Sequence, residues 1–153
     1  MPRTRLFDVT AILLLSLGPA CLAQSVRVRV INGKGGRPLP KQAVSVQFLK
    51  EKPASVSPPL RLETDSNGEA RFAIPETMAV RLDVRVVTKS EDWHCRCWVM
   101  ADTETVIHRG IVESAYDQVK PPITVPEAEA GSVVFVLRPY AWWERLIAPL
   151  VRQ

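Results

Sequence analysis

Residues 25–31 read SVRVRVI, and this stretch decides the fold. Three valines alternate with two arginines along it. Successive side chains of a β-strand point to opposite faces, so a period of two predicts a strand with one face buried and the other in solvent. Residues 32–40, NGKGGRPLP, follow at once and are typical of a turn, because glycine supplies positive φ and proline fixes φ. We therefore expect a half-buried strand that ends in a turn.

The same alternation recurs at residues 42–49 (QAVSVQFL) and 80–88 (VRLDVRVVT). Two further strands are expected at 93–100 (WHCRCWVM) and 105–112 (TVIHRGIV), and the last at 132–139 (SVVFVLRP), with Gly/Pro-containing connections and a spacing of about ten residues. Several short strands in this arrangement predict a mainly β protein, a single antiparallel sandwich of about seven strands of the immunoglobulin-like or transthyretin-like type. Helix is expected only at the C-terminus.

Residues 60–74, LRLETDSNGEARFAI, predict a hairpin. Apolar residues alternate on both sides of a polar centre, and the Asn-Gly pair within that centre is the strongest short-range hairpin signal. The carboxylate of Asp65 can accept backbone N–H groups and hold the loop closed. Four residues are therefore assigned to a structural turn: Thr64, Asp65, Asn67 and Gly68.

Together these motifs resemble the carboxypeptidase regulatory-like domain, a family also described as transthyretin-like or Cna-B-like sandwiches. The family pattern is a strand, a turn with G.PL, a second strand, and then TD.NG...F.I. It is matched here by Gly36, Pro38, Leu39, Val44, Thr64, Asp65, Asn67, Gly68, Phe72 and Ile74. The resemblance covers residues 26–87. It implies a seven-stranded sandwich, and it implies no catalytic residues because this module of the family has none.

The N-terminus predicts a secretory signal peptide. Arg3 and Arg5 precede an apolar run at residues 9–17, and Cys21 and Ala23 supply the small residues of a cleavage site. The mature protein is therefore expected to be secreted or periplasmic; a retained anchor and lipidation of Cys21 are the alternatives. The chain divides into a signal peptide (1–23), a β-sandwich domain (24–139) and a C-terminal amphipathic segment (140–153).

The charge pattern argues against a nucleic-acid partner. The chain has 20 Lys and Arg against 16 Asp and Glu, and the two signs are interspersed. A nucleic-acid-binding protein carries its basic residues as a patch or stripe, which is not found in this sequence. No nucleic-acid partner is therefore expected, and the expected partner is a protein of the cell envelope.

Residues 91–100, EDWHCRCWVM, raise the question of thiol or metal chemistry. After signal cleavage two cysteines remain, and an oxidising compartment favours a Cys95–Cys97 disulfide. Residues two apart on a flat strand have Cα atoms roughly 6.6 Å apart. This is close to the disulfide limit of about 6.8 Å, so closure needs a kink or bulge at Arg96. Two free packed thiols and intermolecular pairing remain alternatives.

A metal site at Cys95, Cys97 and His108 is a further alternative. Structural zinc takes four ligands, and His94 points away from the cysteine face of the strand. His108 could contribute only if the next strand returned beside this one. A C-x-C in strand-like sequence also differs from the C-x-x-C at a helix start that thiol oxidoreductases use. No catalytic residue and no cofactor is therefore assigned.

Residues 138–153, RPYAWWERLIAPLVRQ, predict a short amphipathic helix. Pro139 can open its first turn, and Pro149 ends or kinks it. Trp143, Leu146, Ile147 and Leu150 form one apolar stripe at i, i+3, i+4 and i+7. The stripe can pack on the sandwich, dock a protein or lie on a membrane surface. The candidate interface residues are Trp142, Trp143, Arg145, Leu146 and Leu150.

These observations favour a non-catalytic extracytoplasmic binding or accessory module. Two alternatives stay open. One is a small metal- or thiol-dependent protein that uses Cys95, Cys97 and His108. The other is an envelope structural protein tethered by its C-terminal helix or by a lipidated Cys21.

Overall fold

The structure is a computed structural model that describes residues 24–50, 55–74, 81–88, 93–94, 97–114 and 125–139. Within these ranges the chain forms eleven strands and one helix. They are β1 (Ser25–Asn32), β2 (Arg37–Pro38), β3 (Ala43–Lys50), β4 (Ser55–Val56), β5 (Leu60–Glu63), β6 (Glu69–Ala73), β7 (Arg81–Val87), β8 (Trp93–His94), β9 (Trp98–Asp102), α1 (Thr103–Arg109), β10 (Ile111–Ser114) and β11 (Ser132–Pro139).

The strands form two sheets, which confirms the predicted mainly β sandwich. A six-stranded sheet has the order β10-β11-β1-β2, with β6 also paired to β1 and β8 also paired to β11. A five-stranded sheet has the order β4-β3-β7-β9, with β5 also paired to β3. Most pairs are antiparallel, as expected. The exceptions are β1 with β11 and β10 with β11, which are parallel, so the six-stranded sheet is mixed.

The core lies between the sheets and is built from the inward residues of the alternating stretches. The three valines of β1 are fully buried, and Leu82 and Val84 of β7 meet them from the other sheet. Burying a side chain of this size contributes roughly 1.5–3 kcal/mol before entropy is counted. Phe48 and Phe72 lie edge to face with ring centroids 6.0 Å apart. The period of two therefore predicted correctly which side chains line the core.

The hairpin predicted for residues 60–74 is wrong in its pairing. β5 pairs with β3, and β6 pairs with β1, so the turn joins the two sheets instead of two neighbours in one sheet. Leu62 and Ala70 still both face the core, from opposite sides. A tight turn between two alternating segments leaves open whether they bond to each other or to other strands. Here β1 and β3 supply the partners.

The turn itself has the local geometry that its residues favour. Asp65 Oδ1 accepts hydrogen bonds from the backbone N–H groups of Asn67 and Glu69, at 2.8 and 2.9 Å. The N–H of Gly68 donates to the Asp65 carbonyl at 3.0 Å. Gly68 has φ +69°, and its own carbonyl accepts from the N–H of Val30 at 2.8 Å. The turn is therefore bonded to the middle of the six-stranded sheet.

Thr64 ties the end of β5 to the loop that precedes β3. Its side chain donates to the carbonyl of Leu39 at 2.8 Å and accepts from the N–H of Gln42 at 2.9 Å. Its backbone carbonyl accepts from the N–H of Lys41 at 2.8 Å. Because Thr64 is only 2% exposed, no water can easily replace these bonds.

The strand predicted for residues 105–112, and the expectation of helix only at the C-terminus, are both wrong. Residues Thr103–Arg109 form α1, and a strand begins only at Ile111. Thr103 and Val106 are its buried residues, and this spacing of three is helical. Glu104 in the first turn and basic residues in the last turn complement the helix dipole. The helix ends where Gly110 takes a positive φ of 70°.

We predict that Gly68→Ala destabilises the domain far more than Gly36→Ala. Both glycines have positive φ, which costs an alanine about 1 kcal/mol or more. A Cβ on Gly36 meets open space, whereas a Cβ on Gly68 would lie 2.6 Å from the Val30 carbonyl oxygen. We expect a loss of about 3 kcal/mol or more for Gly68→Ala, measured by urea denaturation. Equal losses for the two variants would contradict the close packing at this turn.

We predict that the Thr64 hydroxyl, and not its shape, stabilises the junction. Thr64→Val keeps the volume but leaves the Gln42 N–H and the Leu39 carbonyl without their side-chain partner, at a cost of about 1–3 kcal/mol in unfolding free energy. Thr64→Ser keeps the hydroxyl and is the matched control. If the serine variant were the less stable of the two, packing of the threonine methyl group would be the larger effect.

Candidate binding surface

The outward face of the five-stranded sheet carries large apolar side chains that remain open to solvent. Trp98 and Met100 of β9 are 48% and 45% exposed, and Val87 of β7 is 60% exposed. We call this set, with the charged residues Arg85 and Asp83 between its members, the β7–β9 face. Exposed aromatic and Met side chains grouped in this way are typical of protein interfaces.

Strand register brings these residues together. In the antiparallel pair of β7 and β9, Arg85 lies opposite Trp98 and Asp83 lies opposite Met100. Directly opposite residues on one face have Cβ atoms about 4.5–5.5 Å apart, so each charged side chain stands beside an apolar one. Val87 follows Arg85 by two positions and projects from the same face. Among the described strands β9 pairs only with β7, so it forms an edge of this sheet.

An ion pair fixes the centre of the β7–β9 face. Arg85 donates from Nε to Asp83 Oδ1 at 3.1 Å and from Nη2 to Oδ2 at 2.8 Å. The Asp83 side chain is 5% exposed, while that of Arg85 is 57% exposed. The hydrogen bonds and the charge of Asp83 raise the pKa of Arg85 above its ordinary value. Two parallel hydrogen bonds hold it in one orientation.

A second ion pair lies at the border of the β7–β9 face. Arg81 Nε donates to Asp102 Oδ1 at 3.1 Å, and both side chains are more than half exposed. Such a pair contributes about 1 kcal/mol or less and is weakened by salt. Sequence alternation placed Asp83 on this outward face correctly, but it did not reveal that the carboxylate is buried beneath Arg85. The sequence signal for this ion pair was an acid and an arginine two positions apart, which lie on the same face of a strand.

The predicted strand at residues 93–100 is divided between the sheets. β8 pairs with β11 of the six-stranded sheet, and β9 pairs with β7 of the five-stranded sheet. Cys97 lies just before β9, is half-buried and packs against the main core. Its carbonyl accepts from the N–H of Val86 at 2.9 Å. Cys95 and Arg96 lie outside the described residues, so the Cys95–Cys97 disulfide stays a prediction.

Cys95 lies outside the described residues, so the metal alternative at Cys95, Cys97 and His108 stays a prediction. His108 lies on the solvent side of α1 instead of on a strand, whereas Cys97 packs against the core. In the ranges that the structure describes, no group of three or more His, Cys, Asp and Glu could hold a metal ion.

No described helix has the length and apolar character needed to cross a membrane.

The C-terminal candidates lie outside the described residues. These are Trp142, Trp143, Arg145, Leu146 and Leu150, and the same holds for Cys21 and the whole of residues 1–23. Their roles as interface, lipid-attachment and signal residues therefore stay predictions.

Comparison with known proteins identifies no family. No protein-family model matches the sequence, and no curated protein matches it. Among solved structures the chain is similar to the C-terminal domain of the shaft pilin spaA from Lactobacillus rhamnosus GG, with 7% sequence identity and a TM-score of 0.39. The match covers 76% of this chain and 98% of the pilin domain. At this level of similarity, the function of the one protein does not bear on the other.

We predict that the β7–β9 face contributes little to folding. Trp98→Thr and Met100→Thr should each change the free energy of unfolding by about 1 kcal/mol or less, because both side chains are half in water and threonine suits a strand. Val84→Thr on the buried side of β7 is the control and should cost about 1–3 kcal/mol, since it buries a hydroxyl. Urea denaturation measures all three. A loss at Trp98 as large as at Val84 would place Trp98 in the core.

Proposed function

We propose that this chain is a non-catalytic extracytoplasmic accessory module that binds a protein partner through the β7–β9 face. The observation that carries the proposal is the position of Trp98 and Met100. Two large apolar side chains stand half exposed on an edge strand, beside a charged group that an ion pair already holds in place. Burying them against a partner would remove this apolar surface from water.

The side chains of the β7–β9 face suit binding for physical reasons. Trp and Met are enriched at interfaces, because a Trp offers a large contact area with few rotatable bonds and a Met adapts its shape. Arg85 is oriented before binding, so its guanidinium would lose little conformational freedom when a partner carboxylate or carbonyl approaches. An apolar centre with a polar border is the usual anatomy of a protein interface.

Three of the buried polar residues that the structure describes have structural partners, as a non-catalytic module would. Thr64 holds the junction between β5 and the loop before β3, and Asp83 is bonded to Arg85. The Ser132 hydroxyl donates to the carbonyl of Glu129 at 2.6 Å. Each of these three groups is engaged in a structural hydrogen bond.

The extracytoplasmic location rests on the sequence. The leader-like residues 1–23 have the charged, apolar and small-residue regions of a secretory signal. The resemblance of residues 26–87 to the carboxypeptidase regulatory-like domain adds a family hypothesis that fits the same location. The extracytoplasmic location and the family membership are therefore both proposed.

The test is site-specific photo-cross-linking in the organism that makes the protein. A photoreactive amino acid at Met100 should give a discrete cross-linked product in the cell envelope. The matched control places the same amino acid at Arg71, whose side chain is 67% exposed on the outward side of the other sheet. Trp98→Arg, introduced together with the probe at Met100, should abolish the product while leaving the fold intact.

The pattern of products decides the outcome. A product at Met100 that is missing at Arg71 and lost with Trp98→Arg supports the binding role of the β7–β9 face. The same products from both positions, or none from Met100, would refute it. Recovery of the variants from the periplasmic or extracellular fraction separately tests the location.

A further inference from the structure

The hydrogen bonds between β7 and β9 decide which backbone groups of β9 point to the edge of the sheet. In an antiparallel pair, opposite residues alternate between those that exchange two backbone hydrogen bonds and those that exchange none. The N–H of Val86 donates to the carbonyl of Cys97 at 2.9 Å, which extends the register of the two strands by one pair. Counting in steps of two along β9, Val99 and Ala101 are therefore the residues that bond to β7.

The residues between them direct their backbone groups away from β7. Trp98 and Met100 each present an N–H and a C=O to the open side of β9, and Asp102 presents its N–H. The carbonyl of Asp102 belongs to α1, because Asp102 is the N-cap of that helix. None of these five backbone groups has a hydrogen-bond partner among the described residues. A row of donors and acceptors with this spacing is the pattern that another extended backbone matches.

Side chains on both faces of β9 are incompletely covered. Trp98 and Met100 are half exposed on the outward face. On the inward face Val99 and Ala101 pack against the main core but are only half-buried, although Leu82 of the neighbouring strand is fully buried. The interior of the sandwich is therefore partly open along this edge. One more strand beside β9 would cover apolar surface on both faces.

β9 also lacks the features that protect the other edges of the described sheets. Proteins commonly guard an edge strand with charged residues, with proline or by keeping the strand short. The edge strands β2, β4 and β8 have only two residues each. The longer edge strands β5, β6 and β10 each contain a charged residue. In β9 four uncharged residues precede Asp102, and the carboxylate of Asp102 is paired with Arg81.

We propose that the partner of the β7–β9 face binds by adding one strand to the open edge of β9. The inference rests on the proposed function, because it states how that protein partner is held. The partner supplies an extended segment of about five residues, to match the length of β9, with apolar side chains on both faces. Its outward side chains lie beside Trp98 and Met100, and its inward side chains lie beside Val99 and Ala101.

The segment needs no charged side chain. Arg81 is paired with Asp102, and Arg85 is paired with Asp83, so the acids and arginines of the β7–β9 face already neutralise each other. The backbone groups of Trp98 and Met100 would then fix the register of the segment, and its alternate side chains would give specificity.

Hydrogen exchange tests whether the edge is open in the unbound protein. In dilute solution the amides of Trp98 and Met100 should exchange about tenfold or more faster than those of Val99 and Ala101, which bond to β7. Slow exchange of all four amides at every concentration would mean that the chain covers its own edge. Slow exchange that appears only at high concentration would mean that a second copy occupies the edge. Either result would overturn the proposal.

A proline at Asp102 tests strand addition itself. Asp102 has φ −69°, which proline adopts, and its N–H is not used in pairing with β7, so Asp102→Pro should fold. Asp102→Ala loses the same ion pair with Arg81 but keeps the N–H, and is the matched control. Each substitution is combined with the photoreactive amino acid at Met100. The cross-linked product should persist with Asp102→Ala and fall about tenfold or more with Asp102→Pro, because the ring blocks the edge and leaves a partner carbonyl without its donor. Urea denaturation should give unfolding equilibrium constants within about fivefold of each other for the two variants.

The outcomes separate strand addition from the proposed function. Equal amounts of product from the proline and alanine variants, or equal loss in both, would overturn strand addition and leave binding by the β7–β9 face standing. No product from Met100 in the otherwise unchanged chain would refute both.

A measurement on the purified cross-linked product needs no proline variant. Strand addition should slow amide exchange at Trp98 and Asp102 by about tenfold or more relative to the free protein, since both amides become hydrogen-bonded. Unchanged exchange at these two amides would show that the partner lies across the face without pairing with β9, and would overturn the proposal.

Discussion

The exclusion of water between the two sheets is the constraint on which the rest of the structure depends. The valines of β1 and the inward residues of β3 and β7 leave no room for polar groups, so the arginines and acids of the same strands must project outward. Any binding site must then be built on an outward face or at the ends of the strands. The turn at Asp65–Gly68 connects the two sheets around this interior, and Thr64 bonds the end of β5 to the loop before β3.

The outward faces of the two sheets differ in how far their apolar side chains are exposed to solvent. On the five-stranded sheet, ion pairs sit beside half-exposed Trp98 and Met100, so apolar surface remains available while the charges are already neutralised. On the six-stranded sheet, Ile31, Val134 and Val136 are almost completely buried. An open apolar face and a covered one on the same sandwich give the domain two distinct sides. The two sides of the described sandwich therefore differ in how much apolar surface they expose.

Local sequence signals predicted the positions of strands and turns better than they predicted which strands pair with each other. The Asp65 turn formed with the hydrogen bonds that its carboxylate can make, yet the strands on either side joined different sheets. The stretch at 93–100 reads as one strand but serves both sheets. Residues around Val106 read as a strand and form α1, because its buried positions, capping glycine and terminal charges outweighed its β-branched residues. Of the candidate site, alternation indicated that Trp98 and Met100 share a face, but not that Asp83 is buried beneath Arg85.

The sequence by itself determined the fold class and which side of most strands meets the core, because alternation is a local property that survives any choice of strand partner. Only the tertiary structure decided the parallel pairing of β1 with β11, the crossing between sheets at Gly68 and the burial of Ile31, Val134 and Val136. These features depend on residues that are distant in sequence, such as Arg27 and Ser132, and their register is set by packing that no short stretch of sequence contains.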